Sequence, residues 1–431
     1  MNPILSVAGL LATFLLAPSS TRAASSNAEV FSKWSVDLGV YGFQKVQFGN
    51  EHSYNSEVRV AATNDHIGVI IGNLPLNTPY DPGHKIWNSP LDLTLLLFNA
   101  KNGRLEAKRG LWTSDFSFEF CPTAAGHFLL LLRHFRTSMQ PPGETLYLLS
   151  ASGEELEKMD LKPSTSTPEP DWTTFLISPS GHTVFLGQRD VHGWHCKILE
   201  ADTLKTRMDW TIPKNLSSPS IVAASDKFVL GITSTTDQQR AGSGSETVNI
   251  SVSAFDGHWQ PVLASLEAVS YFTQITTFHP DYLTFLHDDA ILGINNKSPS
   301  AKPPLELIRW DGTVLPSPLI PKLVDRTKLS GPVASAAAGR YFAVGFSHRP
   351  WLSHVMLDEL QMDMTFQEDE FLFTLWDASN ATSFGEITLG SNVRAFSFAS
   401  DESLTLAFVN GSVLTKVRFR EPDHKTNSQP L

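Results

Sequence analysis

Seven of the 14 histidines fall in five segments expected to connect second and third strands on one rim, each of which also holds arginine, aspartate or tryptophan. The first holds Tyr80, Asp81, His84 and Trp87, and the second Arg133, His134 and Arg136. A third holds Arg189, Asp190, His192, Trp194 and His195. Two more follow at His287, Asp288 and Asp289, and at His348, Arg349, Trp351 and His354. Such side chains on loops over a rigid scaffold are what a recognition surface uses. The candidate binding residues are Arg133, His134, Arg189, His192, Trp194, His287, Asp288, His348, Arg349 and Trp351.

Sharper chemistry finds less support. His192, His195 and Cys196 are metal-ligand types at close spacing,. Strand alternation sends His195 and Cys196 to opposite faces, so no metal is expected. Met356, Met362 and Met364 are soft ligands, but methionines in a loop more commonly pack down,. Asp288 and Asp289 would need a second, spatially placed carboxylate to act as a glycosidase pair. No G-x-S-x-G, H-E-x-x-H, G-x-x-x-x-G-K-[ST] or G-x-G-x-x-G motif occurs,.

The elements that would position these residues are set by composition and repetition. The chain has 431 residues, of which 41% are apolar, enough for a sizeable core,. A net charge of -11 argues against nucleic acid and against a polybasic membrane patch,. Two cysteines make no disulfide framework,. Ile4 to Ala17 is apolar and is followed by Thr21-Arg22-Ala23, the small-x-small exit of a secretory signal,. Residues 1–24 therefore read as a cleaved signal, with an uncleaved anchor as the alternative. The mature protein is then secreted or periplasmic. N-x-[ST] sequons at Asn215, Asn249, Asn296, Asn380 and Asn410 matter only in a eukaryotic secretory pathway,.

Between residues 57 and 419 one pattern recurs about seven times: an alternating apolar segment, a small polar turn, then a strongly apolar strand. Asp65, Gly126, Gly181, Asp226, Asp281, Gly339 and Asp401 mark these first turns, 45 to 62 residues apart,. A later turn ends an apolar strand at Asn99, Ser150, Glu200, Asp256, Asp311 and Asp377. Each unit thus offers four short strands, a to d, and no unit can bury both faces alone. The expected fold is an all-β, seven-bladed β-propeller over residues 25–420, followed by a polar tail at 421–431. The last unit lacks its fourth strand. Trp34-Ser35-Val36-Asp37-Leu38 is free to pair with Ser412–Phe419 and close the ring,. Cys121 and Cys196 fall at opposite ends of neighbouring units and should not pair.

The chain here resembles the WD-repeat family and its secreted bacterial relatives. The likeness rests on Trp310-Asp311, Trp376-Asp377, Ser178-Pro179-Ser180-Gly181 and His279-Pro280-Asp281. It implies a rigid platform for proteins or peptides. Glu200 to Trp210 is similar to the docking repeat of quinoprotein propellers, but occurs once and has Leu204 where that family has glycine, so no cofactor is expected,. The leading reading is a monomeric, non-catalytic scaffold that binds a protein, peptide or glycan on the rim formed by the b–c loops. A hydrolase or lactonase at the channel mouth on that rim is the alternative, since residues from several blades need leave no linear motif.

Overall fold

The computed structural model describes residues 30–43, 45–48, 51–54, 56–73, 91–114, 118–134, 143–161, 173–189, 193–213, 220–236, 245–255, 258, 260–269, 283–287, 290–294, 305–309, 314–315, 332–338, 341–347, 371–377, 382–389, 393–399 and 404–420. The expected signal at 1–24 and the expected tail at 421–431 lie outside them. The described chain is all-β apart from one 3-10 turn at Leu38–Tyr41. It opens with β1 (Val30–Asp37) and a two-stranded ribbon, β2 (Lys45–Phe48) and β3 (Glu51–Tyr54). Sheet one is β4 (Ser56–Ala62), β5 (His66–Asn73), β6 (Leu91–Asn99) and β7 (Leu105–Ser114). Sheet two is β8 (Phe118–Pro122), β9 (Phe128–His134), β10 (Gly143–Leu149) and β11 (Glu155–Leu161). Sheet three is β12 (Thr174–Ile177), β13 (Thr183–Arg189), β14 (Gly193–Glu200) and β15 (Thr206–Pro213). Sheet four is β16 (Ser220–Ala224), β17 (Val229–Thr236), β18 (Ser245–Ser253) and β19 (Gln260–Val269). Sheet five is β20 (Leu283–His287), β21 (Ala290–Ile294), β22 (Leu305–Arg309) and β23 (Val314–Leu315). Sheet six is β24 (Pro332–Ala338), β25 (Tyr341–Ser347), β26 (Phe371–Asp377) and β27 (Thr382–Leu389). Sheet seven holds β28 (Val393–Phe398), β29 (Thr405–Asn410) and β30 (Val413–Phe419), with β1 as its fourth strand.

Every sheet is an antiparallel meander in sequence order except the seventh, where β1 joins the edge of β30 from the other end of the chain. Trp34 stands opposite Lys416, and Asp37 opposite Val413. The first turn landmark of the fifth unit is corrected. Asp281 lies outside the described residues, and the innermost strand of sheet five, β20, begins after it.

The sheets meet face to face. In β9, Phe128, Leu129, Leu130, Leu131 and Leu132 are each at most 1% exposed. A strand covered on both faces has no reason to alternate in polarity. Phe128, Leu130 and Leu132 pack against Ile70, Leu93 and Leu95 of sheet one. Leu129 and Leu131 pack against Val184 and Leu186 of sheet three. Sheet three meets sheet four through Phe185, Trp194, Cys196 and Val229. Sheet six meets sheet seven through Tyr341, Leu375, Leu406 and Phe419. The first strands β16, β20 and β24 lie beside one another in turn. Sheet seven meets sheet one through Val60, Ile67, Phe98, Ala407 and Leu414, and β28 lies beside β4.

The segment that includes β1 spans this last seam. Trp34 packs on Phe98, and its Nε1 donates to the Ala100 carbonyl at 2.9 Å. It lies on Gly103, whose φ is +72° and where a Cβ would stand 2.8 Å from the indole. Leu38 and Phe43, just beyond β1, are buried in the same seam. Between sheets one and two the fit is made by a missing side chain. A Cβ at Gly68 would lie 2.8 Å from Phe120 and 3.0 Å from Phe128. The Gly68→Val variant should lose about 1–3 kcal/mol through overpacking. Chemical denaturation against the unsubstituted protein measures it, and unchanged stability would show that the seam is loosely packed.

Candidate functional site

The b–c and d–a connections of each meander leave from the same rim. On the first two sheets this rim carries a chain of charged side chains. In β4, Val58 and Val60 turn into the seam with sheet seven. Alternation therefore turns Glu57 and Arg59 the other way, toward sheet two. Arg59 Nη2 is 2.7 Å from Glu57 Oε1, and its guanidinium lies 5.6 Å from the centre of the Phe118 ring. In β8 the Phe118 and Phe120 rings enter the seam with sheet one, which leaves Glu119 on the opposite face,. There it meets Arg133, at 3.3 Å.

Arg133 is the hub. Its Nε donates to Glu144 Oε1 at 3.0 Å, and its Nη2 to the Thr173 carbonyl at 3.1 Å. The Thr173 N–H donates to Glu144 Oε2 at 2.9 Å. Both oxygens of Glu144 are thus engaged, and its side chain is 1% exposed against 12% for Arg133. The cluster ties β9 and β10 to the residue that precedes β12, across the seam between sheets two and three.

The electrostatics follow from burial and neighbours. Burial pushes the Glu57 carboxyl up, Arg59 pulls it down and Glu119 pushes it up again, leaving it above the ordinary glutamate value,. Burial, with Glu119 nearby, pushes the Cys121 thiol up to about 12. Burial, with Asp209 nearby, does the same to Cys196, also to about 12. Both cysteines are free, as their placement on different sheets requires, and neither is poised as a thiolate,. On the opposite rim, Ser180 Oγ donates straight to Asp226 Oδ2 at 2.7 Å, and no imidazole intervenes as a nucleophile's base would,. Burial pushes Asp226 up, but the hydrogen bond from Ser180, with the Ser178 and Thr183 hydroxyls and His182 nearby, outweighs it and holds it low. Among the described residues no group of three His, Cys, Asp or Glu side chains could hold a metal ion.

The sequence-derived site residues divide. Arg133 and His134 end β9 on the rim described above, and Arg189 ends β13, also a b strand. Arg133, with its side chain 12% exposed, is neutralised by two glutamates. Trp194 is the second residue of β14 and is buried in the seam between sheets three and four, so it is core. Exposed His195 and buried Cys196 alternate behind it as expected. His287 ends β20, an a strand, and pairs with Ala290 across the a–b hairpin. It therefore belongs to the opposite rim, not to a b–c loop. His192, Asp288, His348, Arg349 and Trp351 lie outside the described residues. Sequence reasoning missed Glu57, Arg59, Glu119 and Glu144. Their signal was a charged residue in every second place of an inner strand, as in Glu57-Val58-Arg59-Val60 and Phe118-Glu119-Phe120.

No family model matches the sequence, and no curated protein matches it. Among solved structures the chain is similar to the β-propeller domain of the Trilobed protease from Pyrococcus furiosus, described as having an open velcro topology. That match has 9% identity and a TM-score of 0.47, and covers 89% of this chain and 100% of that one. A match to the acylaminoacyl peptidase of Pyrococcus horikoshii has 8% identity and a TM-score of 0.45, and covers 85% of this chain but 52% of that one. A putative TolB from Agrobacterium tumefaciens matches at 12% identity and a TM-score of 0.34, over 73% of this chain and 95% of that one.

Arg133→Ala should cost about 3–5 kcal/mol, because Glu144 is left buried and uncompensated. Calorimetry of the purified variant measures it. A melting temperature equal to that of the unsubstituted protein would mean that the cluster does not hold the seam.

Proposed function

We propose that this chain is an exported, seven-bladed, WD-repeat-like propeller closed by β1, and that it binds a basic segment of a protein or peptide on the rim that carries Glu57, Arg59 and Glu119. The observation that carries this reading is the charge balance of the linked cluster on the first two sheets. Among its described residues Glu57, Glu119 and Glu144 outnumber Arg59 and Arg133. Arg133 and Glu144 are spent on each other and on the backbone of Thr173. What faces outward is the more exposed part, Glu119 at 41%, Arg59 at 36% and Glu57 at 31%, two carboxylates against one guanidinium. A ligand ammonium or guanidinium supplies the missing positive charge and meets carboxylates already fixed on strands. Seven meanders in one succession of seams, with β1 beside β30, support the ring. Export rests on the apolar N-terminal run and its small-residue exit.

A hydrolase at the same place is the second reading, favoured by Glu57. A carboxyl held above its ordinary value beside a second carboxylate is the arrangement from which acid–base chemistry is built.

One variant separates the two. Glu119→Gln should weaken binding of lysine- or arginine-rich peptides by about tenfold, in a salt-sensitive way, with stability nearly unchanged because the side chain is exposed. Peptide-array capture followed by titration measures it. Unaltered peptide affinity would remove the binding reading; turnover of a peptide or glycoside that Glu57→Gln abolishes would install the hydrolase.

A further inference from the structure

We propose that the outer edge of β30 is a strand-acceptor site, and that residues 30–43 of a second copy of this chain can fill it in exchange for the chain's own. The inference rests on the β1–β30 pairing and on the packing of this segment, not on the ligand reading above.

The site shows what fits it, because its own occupant is in place. The ladder from Val30 to Asp37 is made by backbone groups, and any copy of the chain carries the same ones,. The segment carries its own apolar anchors, and Asn73 and Lys108 of sheet one donate to its Gly42 and Tyr41 carbonyls, which every copy of the chain also offers. Trp34 reaches the Ala100 carbonyl, Leu38 and Phe43 fill the seam, and the Leu38 N–H donates to the Ser412 carbonyl at 2.8 Å. Residues 30–43 are therefore a self-contained docking unit. The ribbon β2–β3 folds the connection to sheet one back on itself, with Lys45 opposite Tyr54, and unpairing it releases the length that exchange needs. Exchange of such an element between copies keeps every native contact and changes only the connection.

One residue makes this edge easier to vacate than a closing strand need be. Lys416 stands directly opposite Trp34 in β30 and is 4% exposed. Its Nζ donates to Ser32 Oγ of β1 at 3.1 Å, and among the described residues no carboxylate pairs with it. A buried ammonium with one neutral acceptor is poorly compensated. Burial depresses its basicity, and Arg418 on the same strand adds to that. When β1 lifts away, this ammonium regains water. Lys416 thus opposes the closed position that Trp34 favours.

The test uses two full-length variants, Ser35→Cys and Thr415→Cys. Ser35 and Thr415 face each other across the ladder with their hydroxyl oxygens 2.9 Å apart. The two variants are mixed at high concentration, oxidised with diamide and mapped by mass spectrometry. The double variant at low concentration should give a bridged monomer, which establishes the reach. The mixture should give a dimer bridged between position 35 of one chain and position 415 of the other. Adding Lys416→Met to the acceptor chain should slow the appearance of this dimer by about tenfold and leave its final yield unchanged, since an apolar side chain there holds β1 more firmly in both states and only the opened one loses the contact. A bridged monomer from the double variant with no such dimer from the mixture would overturn the exchange. A rate of dimer formation indifferent to Lys416→Met would overturn the role of the lysine. Failure of the double variant to bridge would remove the pairing on which both depend.

Discussion

Sheets one, two, three and seven of this chain bury apolar side chains on both faces, and that constraint governs the rest of the molecule. An unpartnered sheet of this kind leaves two apolar faces in water. Two neighbours remove both at once, and a succession of sheets that closes on itself leaves none uncovered. The apolar runs of β5, β9 and β29 make sense only in such a succession. In β5, Ile67, Val69 and Ile71 serve one seam, while Ile70 and the notches at Gly68 and Gly72 serve the next. In the proposed ring the seam between sheets seven and one must be made by the two ends of the chain. Trp34, Leu38 and Phe43 are the residues that make it.

Polar groups are displaced from the seams to the rims, and there they are mostly paired. The Ser178–Ser180–Asp226 contacts join the turns of sheets three and four, and Thr123 donates to Asp202 between sheets two and three. The Glu119–Arg133–Glu144–Thr173 cluster joins the same two sheets at the other rim. Both rims are therefore stitched as well as packed, which gives a ligand site on them the fixed geometry that recognition needs. Most of Arg133 is consumed in this work. The outward charge at the rim is left to Glu57, Arg59 and Glu119.

Much of the fold was legible because turns and apolar runs are local signals. Asp65, Gly126, Gly181 and Asp226 do sit between first and second strands, and the stray strand at Trp34 does lie beside the last one. The fifth unit was misread because His279-Pro280-Asp281 has the same turn chemistry as the others. That shifted His287 to the wrong rim. The site was less legible. Trp194 follows a polar stretch and was taken for a loop residue, yet Trp194, Cys196 and Ile198 already show the period of two that buries them. The ion pairs of Arg133 are not legible in the sequence because its partners, Glu119 and Glu144, come from other strands, and only the register that sets Glu144 opposite Arg133 reveals them. The ribbon β2–β3 has no counterpart in the other units, so repetition could not announce it.

The central claim is that sheets seven and one meet in a permanent, buried seam. The Ala62 amide reports on that seam directly, because its N–H donates to Ser397 Oγ of β28 at 3.0 Å rather than to its own sheet. Residue-resolved native-state hydrogen exchange should find this amide protected about as strongly as the core of β5, with the two lost together. Exchange of the Ala62 amide at the rate of an open backbone group, while Ile67 to Ile71 stay protected, would contradict the account.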